Sequence, residues 1–125
     1  MLKGIPPVLS PELFKILMEM GHGDEIILAN GNFPAASLAQ RLVRCDGLGI
    51  PEVLSAILKF FPLDNFVKKS VSLMAVVSGD SIKPVIWEDY KRIIQKYLFE
   101  RSEFESTRDE FTGFRDLKYL VLGIT

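Results

Sequence analysis

Apolar positions recur along this chain in two rhythms. The first is helical. Leu13, Ile16, Leu17 and Met20 stand at i, i+3, i+4 and i+7, which places them on one face of a helix. Ser10-Pro11-Glu12 supplies its start: serine is a preferred N-cap, proline fits the first helical position, and a glutamate complements the positive end of the dipole. Gly21 stands where a left-handed residue stops a helix. Ile50-Pro51-Glu52 opens a second helix, with Val53, Leu54, Ile57, Leu58 and Phe61 on one face and Pro62 at its end. Pro84 opens a third, striped by Ile86, Tyr90, Ile93, Ile94 and Tyr97 and bordered by Trp87. The second rhythm is the short apolar run of a buried strand, closed by turn residues. Residues 26–29, 71–77 and 119–122 read this way, and residues 41–45 read as a shorter strand ending at Asp46-Gly47. The charged segment 101–110 reads as a solvated helix.

Strands that alternate with helices predict an α/β fold: a single compact domain over residues 1–125, with a largely parallel sheet flanked by helices. No repeat, linker or low-complexity segment interrupts it. With 125 residues, 48% of them hydrophobic, the chain can bury a substantial core. A net charge of -1 gives no support for nucleic acid or an anionic membrane surface as a partner. The apolar runs are too short to cross a bilayer, and the N-terminal stretch lacks the apolar centre of a signal peptide, so the cytosol is the expected compartment. A lone cysteine, Cys45, excludes an internal disulfide and a cysteine-rich zinc site. Nine phenylalanines among many aliphatic residues point to apolar surface buried between subunits.

The chemistry concentrates between Met20 and Pro34. This stretch holds the only histidine, His22, between two glycines that let the backbone approach another group closely. Asp24, Glu25, Asn30 and Asn32 lie within ten residues of it. An imidazole titrates near neutral pH, so this combination suits acid–base work. The structural reading of His22 is a group capping a helix C-terminus. Asn30 and Asn32 can bind sugar hydroxyls, since an amide both donates and accepts, or can simply form a turn. Asp24 and Glu25 are candidate catalytic carboxylates or solvated residues at the entrance to a strand. Arg101 can hold a substrate oxygen or an oligomer contact, or be an ordinary exposed helix arginine. The Gly21-His22-Gly23 segment lacks the lysine and hydroxyl of a phosphate-binding loop, and no Gly-x-Ser-x-Gly elbow is present. Asp46 and Asp80 read as turn residues, and Cys45 as a small core residue with nothing nearby to activate a thiolate.

Several segments together resemble the ribose/fucose mutarotase family, and its L-fucose mutarotase branch in particular. They are Leu2-Lys3-Gly4-Ile5, Leu9-Ser10-Pro11-Glu12-Leu13, Met20-Gly21-His22-Gly23-Asp24-Glu25-Ile26, Asn32-Phe33-Pro34, Asp46-Gly47-Leu48, Met74-Ala75-Val76-Val77 with Gly79-Asp80, and Glu100-Arg101 followed by Phe104. The resemblance covers about residues 1–105. It implies a cofactor-free and metal-free α/β isomerase that interconverts sugar anomers, assembled as a homo-oligomer with sites near subunit contacts. It also implies that His22 is the general acid/base, that Asn30 and Arg101 contact the sugar, and that L-fucose is the substrate. The family usually has aspartate in place of Asn30, a tyrosine in place of Glu105, and a Tyr-Gly-Asn motif near its C-terminus. Here Tyr119 is followed by Leu120-Val121, so Tyr119 stands in for the family tyrosine as a sugar contact and residues 106–125 are divergent. Two other readings stay open: a mutarotase fold kept for sugar binding or subunit assembly without turnover, and a ribose-type pyranase.

Overall fold

The serine, proline and glutamate at positions 10–12 begin a helix as their chemistry requires. In the computed structural model, which describes residues 2–62, 71–72, 86–99 and 120–123, α1 runs Pro11–Glu19. The Ser10 hydroxyl accepts the Leu13 N–H at 3.1 Å, satisfying one of the donors that every helix start leaves open. Leu13 is buried and Leu17 and Met20 pack against the core, while Phe14 turns towards Phe60 and meets it edge-on at 5.6 Å between centroids. Phe14 thus fills the place on the inner face that the sequence stripe gave to Ile16.

The chain continues through β1 (Glu25–Leu28), a single-turn helix α2 (Ala35–Leu38), α3 (Ile50–Leu58), β2 (Val71–Ser72), α4 (Ile86–Phe99) and β3 (Leu120–Gly123). Helix α3 carries the densest part of the core: Val53, Leu54, Ala56, Ile57 and Leu58 are all buried, and Phe61 just beyond it is buried too. Helix α4 packs on α3 through Tyr90 and Ile94, with Trp87, Ile93 and Tyr97 at the margins. Its inner stripe begins at Trp87; Ile86, expected on that face, is on the solvent side. The Ser55 and Tyr97 hydroxyls lie 3.2 Å apart and join the two helices with a partly buried hydrogen bond. Leu9, Leu13, Leu28 and Val71 complete the core cluster, which thereby joins helices and sheet.

Within the α/β fold the ladders among the described residues depart from the expected parallel arrangement. The strand order is β1-β3-β2, and both ladders are antiparallel: Glu25 pairs with Gly123 and Leu28 with Leu120 on one side, Val71 with Leu122 on the other. Strands β1 and β2 do run the same way, as strands linked through helices should. Alternation along the sequence fixes direction, however, and not adjacency. The strand furthest along the chain inserts between the two and runs opposite to both.

Two further expectations are corrected. Residues 41–45 form no strand. Val43 and Cys45 pack against the core while Leu42 and Arg44 face out, so the apolar alternation is present, but the segment joins no ladder among the described residues. It ends in a turn in which Leu48 N–H donates to the Cys45 carbonyl at 3.2 Å and Gly47 takes a φ of 80°, so the Asp46-Gly47 turn is as expected. Strand β1 is one-sided and not fully buried: Leu28 and Ile26 face the core, while Glu25 is exposed and Ile27 is 47% exposed. For the second apolar run, residues 71 and 72 are in a strand; positions 73–77 lie outside the described residues.

Candidate active site

The turn that carries His22 begins where α1 ends. Met20 is extended, with φ -67° and ψ 135°, and its N–H closes on the Ile16 carbonyl. The helix therefore stops without a left-handed residue, and Gly21, expected in that role, has no positive φ. The positive φ falls at Gly23, at 88°. Asp24 N–H donates to the Gly21 carbonyl at 3.0 Å, which makes Gly21-His22-Gly23-Asp24 a β-turn with glycine where positive φ is needed. In the same turn Gly21 N–H donates to Asp24 Oδ2 at 2.7 Å. His22 occupies the first central position and is solvent-exposed. It belongs to this closed turn, which the extended Met20 sets apart from the terminus of α1.

Four strand residues later the chain turns again. Asn30 Oδ1 accepts the Asn32 N–H at 3.0 Å, and the Asn30 carbonyl accepts the Phe33 N–H at 3.1 Å. The Asn-Gly pair makes its turn without a positive φ at Gly31. Pro34 follows with φ -76° and ψ 58°, and Ala35 N–H reaches back to the Phe33 carbonyl at 2.7 Å, an inverse γ-turn that leads into α2. The Ser37 hydroxyl donates to the Pro34 carbonyl at 3.0 Å, holding that helix start. Asn30 is thus a turn former through its amide oxygen, and its amide NH2 is a donor at an exposed position.

Strand β1 carries these two turns at its two ends, pinned to the core by Ile26 and Leu28 and to β3 by its ladder. Chemically, the arrangement offers an imidazole open to solvent for proton exchange and amides suited to hydroxyl groups. Arg101 and Tyr119 lie outside the described residues; Arg101 follows the end of α4 by two positions in sequence, and Tyr119 precedes β3 directly. Among the described residues no three His, Cys, Asp or Glu side chains gather as a metal site, and no helix is long and apolar enough to cross a membrane. The Cys45 thiol is pushed up from its ordinary range by burial and then by the charge of Asp46, so it stays protonated and unreactive near neutral pH. Sequence reasoning missed the bond from the Asp24 carboxylate to Gly21. Its signal was present in the spacing: a short carboxylate three residues after a glycine readily accepts a local backbone N–H.

The chain is similar in sequence and in structure to known proteins. Residues 3–113 match the family described as the RbsD / FucU transport protein family. The human protein named fucose mutarotase is 43% identical over 116 residues, covering 88% of this chain and 75% of the human one. The L-fucose mutarotase of Actinobacillus pleuropneumoniae is 44% identical over 96 residues, covering 77% of this chain and 67% of that protein. Among solved structures, the fucose mutarotase from Streptococcus pneumoniae in complex with L-fucose superposes with a TM-score of 0.79 at 39% identity, covering 98% of this chain and 97% of the other. The FucU protein of Bifidobacterium longum gives the same TM-score at 35% identity, again covering 98% and 97%.

Proposed function

The chain belongs to the RbsD/FucU family, and from that membership we propose that it is an L-fucose mutarotase, an isomerase that interconverts the α and β anomers by acid–base ring opening. The observation that carries this reading is the closed Gly21-Asp24 turn, which holds the exposed His22 next to a strand anchored in the core. The fucose complex of the Streptococcus relative supports the choice of sugar.

The chemistry is proton transfer alone. The anomeric hydroxyl loses its proton to the imidazole, the bond from C1 to the ring oxygen breaks, and the ring oxygen takes a proton from the imidazolium. The open-chain aldehyde rotates about its first carbon–carbon bond and recloses on the other face with the proton movements reversed. One imidazole suffices because it can take the proton at one nitrogen and return it, and general acid–base catalysis of this kind contributes on the order of 10²- to 10⁴-fold. Asn30 serves as a sugar contact through its amide, and Arg101 and Tyr119 as further contacts, in keeping with the family resemblance. Leu120 pairs with Leu28, two residues before Asn30, so β3 starts at the Asn30 end of β1.

The protein works as a cytosolic homo-oligomer in this proposal. Leu2, Met18 and Leu38 are 74%, 75% and 65% exposed, apolar surface that a neighbouring subunit covers. The test is saturation-transfer NMR on the anomeric protons of L-fucose with and without the purified protein. Exchange above the spontaneous rate that disappears in a folded His22→Ala variant is the expected result. A folded protein that gives no acceleration overturns the assignment.

A further inference from the structure

We propose that Asp24 is a positioning residue for His22, because its carboxylate locks the turn from which the imidazole acts. This rests on His22 being the acid–base group. Two bonds join Gly21 and Asp24: the Asp24 N–H to the Gly21 carbonyl at 3.0 Å, and the Gly21 N–H to Asp24 Oδ2 at 2.7 Å. Between them stand only His22 and Gly23, and Gly23 is left-handed. With two glycines among its four residues, such a turn has more backbone freedom than most sequences would give it. At an exposed site the single backbone bond competes with water and selects a conformation weakly. The carboxylate bond is charge-assisted and short, and bonds of that type are about twice as strong as neutral ones. Although it too is exposed, it is the stronger of the two bonds and adds most to holding the turn in one conformation, and so to fixing the direction in which the His22 side chain leaves the backbone.

That direction decides the rate. A general acid has to come within about 3 Å of the atom it protonates. A misplacement of about 1 Å costs up to a hundredfold. Asp24 acts through the backbone in this scheme, with its Oδ2 engaged by Gly21, and does not itself touch the sugar. Asparagine at position 24 retains an oxygen that can accept the same N–H, whereas alanine has none.

The experiment is L-fucose anomer exchange by NMR, resolved into kcat and KM, for Asp24→Ala, Asp24→Asn and His22→Ala, together with the Gly21 amide resonance in each variant. Asp24→Ala should lower kcat about tenfold or more, leave KM within about twofold, and shift and deprotect the Gly21 amide. Asp24→Asn should recover most of the kcat and the amide protection together. Parental kcat in Asp24→Ala overturns the positioning role. So does an Asp24→Asn variant that keeps the Gly21 amide protected and is still as slow as Asp24→Ala, since the charge and not the lock would then matter, and so does a loss confined to KM. The two readings fail separately: inactive His22→Ala beside fully active Asp24→Ala removes only the positioning role, whereas fully active His22→Ala removes the acid–base assignment.

Discussion

Leu28 of β1 stands opposite Leu120 of β3, and on the other edge of β3 Leu122 stands opposite Val71. The strand near the C-terminus is therefore the one that joins the other two. A chain ended after Lys118 loses both ladders and leaves β1 and β2 without a common neighbour. We expect it to show no cooperative thermal transition by circular dichroism. A sharp transition within a few degrees of the parent would mean that the helices hold the fold without the sheet.

The core sets the second expectation. Leu54 and Ile94 are fully buried on facing helices, so Leu54→Ala or Ile94→Ala should each cost about 2–5 kcal/mol in urea titrations. Ile86 is on the same helix as Ile94 but 41% exposed, and Ile86→Ala should stay within about 0.5 kcal/mol of the parent.

Gly23 separates conformational strain from crowding. A Cβ at this position meets no atom within 4 Å, yet φ is 88°. Gly23→Ala should cost about 1–2 kcal/mol through backbone strain alone. Gly31 is equally open and has no positive φ, so Gly31→Ala should be nearly neutral. Equal costs in the two variants would show that the turn around His22 is not held in its left-handed form.

Asn30 makes its turn through an acceptor oxygen that aspartate also possesses. Asn30→Asp should keep the turn and hold or raise the anomer-exchange rate, since a carboxylate accepts more strongly from sugar hydroxyls. Asn30→Ala should lose the bond to Asn32 and about 1 kcal/mol of stability. A clear loss of exchange in Asn30→Asp would give the neutral amide a task of its own, such as donating to the sugar.

Alkaline pH should weaken the fold through two acids held neutral. Burial first, and then a neighbouring carboxylate, raise the Cys45 thiol above 9.0 and the Tyr90 hydroxyl above 10.0; the carboxylates are Asp46 and Asp89. The folded state therefore holds these protons longer than the unfolded chain does. Their contribution is complete at neutral pH and is lost as pH rises through and beyond those values. Urea midpoints should fall between neutral pH and about pH 11, with Cys45→Ala flattening the earlier part of that decline and Tyr90→Phe the part above about pH 10. Parallel declines in parent and variants would assign the alkaline loss to other groups.

Helices were more legible in the sequence than the sheet, for reasons that particular residues make plain. Ser10-Pro11-Glu12 and Ile50-Pro51-Glu52 carry local start signals, and the stripe through Tyr90, Ile94 and Tyr97 is a local period of one helix. Strand order depends on distant partners, so nothing in the run 26–29 could disclose that Leu120–Gly123 lies beside it. The alternation at 41–45 reports which side chains face the core and is silent on whether a ladder neighbour exists. At the site, the chemistry of His22 and Asn30 could be read from residue type and motif. The lock between Asp24 and Gly21 depends on which backbone groups the turn brings together, and there the sequence offered only a spacing.

The 1-3-2 strand order also sets a schedule for biosynthesis. Leu120 is made roughly ninety positions after Leu28, so at about 5–20 residues per second the ribosome has finished β1 many seconds before its neighbour exists. For that interval β1 lacks the ladder it makes with β3, and Ile26 and Leu28 wait for Leu122 and Leu120. The ladders that β3 makes with β1 and β2 close only once that strand has cleared the exit tunnel.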